Sequence, residues 1–68
     1  MLEAINFNTK IKVAIKKDSK VGYYVFIYDN ESGNLLEDWL YDSLDEAFSY
    51  AERKHGLSKD KFVEKLVD

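Results

Sequence analysis

The sequence predicts an α+β domain: a three-stranded antiparallel meander packed by one long helix, followed by a short C-terminal helix, in the order β-β-β-α-α. Three observations predict it. Apolar and polar residues alternate with period two from Ile5 to Lys16, the pattern of a strand with one buried face. Two short turn segments, each containing a glycine, set off two further runs rich in aromatic and aliphatic residues. Ser43-Leu44-Asp45-Glu46 then opens a stretch whose apolar residues recur at helical spacing.

In the first predicted strand, Ile5, Phe7, Ile11, Val13 and Ile15 alternate with Asn6, Asn8, Lys10, Lys12 and Lys16, with Thr9 in phase with the apolar set. The second, Val21 to Tyr28, is apolar in both phases: Val21, Tyr23, Val25 and Ile27 point one way, Tyr24, Phe26 and Tyr28 the other. Leu35 to Tyr41 makes the third. Asp29-Asn30-Glu31-Ser32-Gly33-Asn34 is the turn before it, and Gly33 is free to take positive φ.

The long helix is predicted over about residues 44 to 55. The Ser43 hydroxyl can accept from the Glu46 amide, and Glu46 can reach back. Leu44, Ala47, Phe48 and Ala51 fall on one face. Asp45 and Glu46 stand at the positive end of the helix dipole, Arg53, Lys54 and His55 at the negative end. Gly56 suits the residue after the helix, with Leu57 supplying a closing apolar contact. In the tail, Ser58 can cap a second helix carrying Phe62, Val63, Leu66 and Val67. The same segment also reads as a fourth strand; the helix is the favoured expectation.

Sixty-eight residues make a single domain, 1–68, near the lower limit for a self-sufficient core. Such chains are often stabilised by association. The chain has no Cys, which excludes a disulfide framework and a thiolate metal site and implies no oxidising compartment. No apolar run approaches the roughly 20 residues of a membrane span. The N-terminus lacks a basic stretch leading into an apolar one. A cytoplasmic protein without membrane contact is the expectation.

Charge is segregated. Residues 1–28 hold five Lys against Glu3 and Asp18. Residues 29–52 hold eight acids and no Lys or Arg, and residues 53–68 hold five cations against three acids. The net charge of −3 speaks against a dedicated phosphate-backbone binder, so nucleic acid is not the expected partner.

No nucleophile, base and orienting group occur at a recognised spacing, and no catalytic, cofactor or metal residues are assigned. His55, the one histidine, reads as a cation at a helix C-terminus. Asp45 and Glu46 are accounted for by capping and the dipole. Asp29, Asn30 and Glu31 lack the spacing of a calcium loop and read as turn chemistry.

Register decides which residues face outward. Three-residue hairpin loops with a final Gly, Lys20-Val21-Gly22 and Glu31-Ser32-Gly33, both pair odd residues with odd residues. The odd face then collects Phe7, Ile11, Val13, Ile15, Tyr23, Val25, Ile27, Leu35, Trp39 and Tyr41. It receives Leu44, Phe48 and Ala51 from the helix. The even face collects Tyr24, Phe26, Tyr28, Leu36 and Leu40, bordered by Lys10, Lys12, Lys16 and Asp38. One helix covers one face, so these five apolar residues form a candidate interface unless the tail covers them. An aromatic row beside lysines also resembles a base-stacking sheet surface. Glu31, Glu37, Asp38 and Asp42 have no capping role and form a candidate acidic edge for a basic partner. The expected partners are therefore a second copy, giving a homodimer, or a basic protein.

Lys17-Asp18, Gly22-Tyr23-Tyr24-Val25 and Ser43-Leu44-Asp45-Glu46-Ala47 resemble, in that order, the elements of the HicB-like antitoxin family. That pattern is a Lys-Asp turn, a Gly-Tyr-Tyr-Val type strand, and a third strand running into a Thr/Ser-Leu-Glu/Asp-Glu-Ala helix start. The resemblance spans Ile11 to Gly56 and implies a non-catalytic antitoxin- or immunity-like protein that occludes a small basic ribonuclease toxin. Where that family usually carries a longer Pro- and Gly-containing loop between the second and third strands, this chain has a short turn. Three strands followed by a helix also look like phage-integrase arm-binding domains, whose third strand is basic where this one is acidic.

Overall fold

The computed structural model describes residues 1–65. It is α+β, as the sequence implies, but among the described residues its sheet has five strands and there is one α-helix, where a three-stranded meander with two helices was expected. The elements are β1 (Leu2–Asn6), β2 (Ile11–Asp18), β3 (Gly22–Asp29), β4 (Leu35–Tyr41), α1 (Leu44–His55) and β5 (Val63–Glu64). The sheet order is β4-β3-β2-β1-β5, and every pairing is antiparallel.

The first correction lies at residues 7–10. The expected long strand is a hairpin, because the Asn6 side chain turns the chain. Its Oδ1 accepts from the amides of Asn8 at 3.0 Å and Thr9 at 3.3 Å, a local bond that competes with strand pairing. Lys10 follows with φ of 60°. Phe7, in phase with the buried set by alternation alone, sits at the turn tip and is 76% exposed. A four-residue loop joins residues of opposite parity, so Asn6 pairs with Ile11 and Ala4 with Val13. β1 therefore sends Leu2 and Ala4 to the helix side and Glu3 and Ile5 to the other face.

The second correction is the tail. Lys59–Lys61 form a single 3₁₀ turn. The Ser58 hydroxyl bonds the Asp60 carboxylate and caps no backbone amide. Phe62 then extends and packs edge-on against Phe48, ring centroids 5.2 Å apart. Val63 and Glu64 pair with Glu3 and Leu2. A strand wins over a helix here because the outer edge of β1 offers unpaired backbone groups, while Phe62 still reaches the helix. Leu66 and Val67, placed by the sequence reading on the second helix, lie outside the described residues.

The two predicted loops behave differently. β3 and β4 pair as expected from Tyr23 opposite Tyr41 to Ile27 opposite Glu37, with a bulge beside Tyr28. Between β2 and β3 odd residues pair with odd ones, but shifted by one pair from the expected register, so that Gly22 lies opposite Asp18. Gly22 has φ of +123°, and a Cβ there would lie 2.4 Å from the Tyr41 carbonyl oxygen. Only glycine lets β3 start so close to the end of β4.

The core lies between one sheet face and α1. Val13, Ile15, Val25 and Ile27 are fully buried, and Ala4, Ala47, Tyr50, Ala51 and Leu57 complete the cluster. Ala47 and Ala51 let the helix approach the sheet closely. Leu44 and Phe48, expected on the sheet-facing side of the helix, are partly buried and pack against this core at its rim. Ser43 caps the helix by accepting from the Glu46 amide at 3.2 Å. Gly56, left-handed at φ of 66°, ends it by donating to the Glu52 carbonyl at 3.0 Å. Asn6 ties the far strand to this end, its Nδ2 donating to the His55 carbonyl at 2.7 Å.

Candidate functional site

The helix covers one face of the sheet. From the tail, Val63, opposite Glu3, reaches the other and is 54% exposed. At the centre of this open face β3 presents Tyr24, Phe26 and Tyr28 as a row. The first two rings stack at 5.9 Å with 17° between their planes, and the second and third lie 6.4 Å apart. Offset ring pairs at these distances are mutually attractive. Each ring is half-buried by its neighbours. On β2, Lys12 stands opposite Tyr28, Ala14 opposite Phe26 and Lys16 opposite Tyr24. The Lys12 ammonium lies 4.9 Å from the centre of the Tyr28 ring, within cation–π range. The small Ala14 side chain is buried beneath the row. On β4, Asp38 stands opposite Phe26 and Leu40 opposite Tyr24. Leu36 and Leu40 are each about half exposed, 52% and 49%. Tyr24, Phe26, Tyr28 and Leu40 thus share one surface, and at the bulge Leu35, expected on the helix side, stands opposite Tyr28 beside Leu36. The hairpin at residues 7–10 adds Ile5 beside Lys12, a placement the sequence reading missed.

The four acids of the candidate edge are not brought together. β4 is an edge strand, as an acidic border requires, but alternation sends its two acids to opposite faces. Asp38 lies on the open face. Glu37 turns to the helix side, where its Oε1 accepts from the Trp39 indole at 2.9 Å and the Tyr50 hydroxyl at 3.1 Å. Glu31 sits in the β3–β4 turn and pairs with Lys10 at 2.6 Å. Asp42 follows β4 at the helix entry.

Glu37 is the centre of a second cluster that the sequence reading did not assemble. The Trp39 and then the Tyr50 bond lower its pKa below the ordinary carboxylate value. Burial, then donation to Glu37, raises that of Tyr50. The Tyr50 ring meets Trp39 at 6.1 Å, Tyr41 at 5.8 Å and His55 at 5.7 Å. Burial lowers the His55 pKa, so the neutral imidazole is favoured where the sequence reading expected a cation. Its Nε2 is buried and finds no hydrogen-bond partner among the described residues. Glu37, Trp39 and Tyr41 share the odd phase of β4, so this grouping was readable by parity. The Tyr50–Glu37 bond runs between α1 and β4 and ties the edge strand to the helix.

No family model, curated protein or solved structure matches this chain.

At the opposite edge β5 pairs with β1 at Leu2 and Glu3. Beyond it a groove of about 610 Å³ opens between β1 and the segment after the helix, bordered by Asn6, Phe7, Gly56 and Lys61. Among the described residues no group of three or more His, Cys, Asp and Glu is arranged to hold a metal ion, and no helix is long and apolar enough to cross a membrane.

Proposed function

We propose that this chain is a non-catalytic protein-interaction domain whose docking surface is the open face of the sheet. The observation that carries this reading is the row Tyr24, Phe26 and Tyr28, flanked by Leu36 and Leu40, on a face that α1 does not cover. Contiguous exposed apolar surface on a small domain marks an interaction site. Aromatic residues that keep a polar tip are the usual anchors of such surfaces. An inhibitor of a basic protein, the role the antitoxin resemblance implies, would meet Asp38 on this face.

The rival reading is a nucleic-acid surface on which bases stack against the aromatic row beside Lys12 and Lys16. Asp38 on the same face opposes it, since a carboxylate repels the phosphate track. Fluorescence anisotropy with a labelled single-stranded oligonucleotide separates the two. The protein-docking reading predicts no binding at physiological salt. Tight binding that weakens steeply with salt and is lost in Phe26→Ser would overturn it.

A further inference from the structure

The open face carries its charges asymmetrically, and the asymmetry selects an occupant. Lys12 and Lys16 stand on β2, to one side of the aromatic row, with Glu3 of β1 beyond them opposite Ala14; Asp38 stands on β4, to the other. None of these four side chains forms an ion pair among the described residues. Consider two such sheets stacked face to face about a two-fold axis, the commonest symmetry of small assemblies. If the axis runs across the strands, β2 lies over β2 and β4 over β4. Asp38 then meets Asp38 and Lys12 meets Lys16, like charge on like. If the axis runs along β3, left and right exchange. β3 lies over β3 and β2 over β4, so Ala14 of one copy faces Asp38 of the other. Lys12 and Lys16 lie two residues to either side of Ala14, about 7 Å along the strand, and their flexible chains reach inward to flank that carboxylate.

Resting on the docking surface just described, we propose that its occupant is a second copy of this chain, related by a two-fold axis along β3. Asp38 of each copy is held between Lys12 and Lys16 of the other. The aromatic rows supply the attraction, and the charges fix the orientation by penalising the alternative. Three overlapping strands of about seven residues cover roughly 340 Å² in plan on each copy. That is a small contact of the transient class, so the dimer is a weak one.

Sedimentation equilibrium from about 1 µM to 1 mM tests this with the full chain, and circular dichroism checks that each variant is folded. The wild type should dimerise and Phe26→Ser should not. Asp38→Asn should loosen the dimer about tenfold, because it removes a carboxylate that pairs twice per dimer. Asp38→Lys alone and the double variant Lys12→Glu, Lys16→Glu alone should each be monomeric, and an equimolar mixture of the two should dimerise. A dimer lost in Phe26→Ser but unchanged or tightened by Asp38→Asn overturns the proposed axis and leaves the docking face standing. A dimer indifferent to Phe26→Ser overturns the docking face as well. A wild type monomeric throughout overturns the second copy as occupant, and the oligonucleotide titration then judges the face on its own.

Discussion

Replacing Gly22 with Ala tests the register that decides which residues face outward. Two costs follow from the structure. The backbone at φ of +123° lies outside the range an L side chain adopts readily, which costs about 1–2 kcal/mol. The added Cβ would also come to 2.4 Å from the Tyr41 carbonyl oxygen. That neighbour is backbone, so relief requires the end of β4 to move away from β3, at about 1 kcal/mol for a disturbed ladder bond. Together the change should cost about 3 kcal/mol. A domain of this size has about 3–10 kcal/mol in total, so the loss is large. Gly33→Ala is the control. Its φ is +79° and nothing lies within 4 Å of the added atom, so only the backbone strain applies, about 1 kcal/mol. Urea melts of the wild type and both variants give the difference directly. Equal losses for the two glycines would mean that Gly22 does not lie against Tyr41, and that the β3–β4 pairing is wrong.

Three further predictions follow from single contacts. Asn6→Ala removes the bond to the His55 carbonyl and both turn bonds, and should cost about 2 kcal/mol in a urea melt; a loss under 0.5 kcal/mol would mean the β1–β2 turn holds without it. Phe48→Ala should cost about 2 kcal/mol, below the roughly 3–5 of a core aromatic, because Phe48 packs at the rim against Phe62. For His55, burial holds the folded pKa below the ordinary 6.5. The unfolded chain therefore binds the proton first, and this contribution to stability is intact above 6.5 and declines as pH falls from 6.5 toward the folded value. Thermal melts between pH 7.5 and 5.5, about the range a histidine governs, should show a loss on acidification that His55→Gln lacks.

The parts of the fold legible in the sequence were those set by local chemistry. Ser43 and Glu46 mark the helix start and Gly56 its end because a cap is a bond within four residues. The odd phase of β2 and β3 was legible because the turn between them preserves parity, and at the β3–β4 turn, where Tyr28 pairs with Leu35, the bulge restores it from Ile27 opposite Glu37 onward. The break at residues 7–10 was hidden because Phe7 and Thr9 continue the period-two pattern through a turn. Asn6, Asn8 and Thr9 were the only signal of it, through side-chain bonds to the backbone. The tail was ambiguous for a different reason. Phe62 and Val63 suit either a helix or a strand, and the outer edge of β1 that decides the matter is brought to them from the other end of the chain. At the candidate site, the aromatic row followed from alternation alone, whereas grouping Glu37 with Asp38 treated neighbours in sequence as neighbours in space. Alternation puts them on opposite faces.

The measurement that bears most directly on the open face as the docking surface is a dilution series followed by ¹H–¹⁵N NMR. The account predicts concentration-dependent shifts centred on Lys12, Ala14, Lys16, Tyr24, Phe26, Tyr28, Asp38 and Leu40, with the amides of α1 unmoved. Shifts that map instead to α1 or to the groove beside Phe7 would contradict it, and a spectrum that does not change with concentration would rule out a second copy as the occupant.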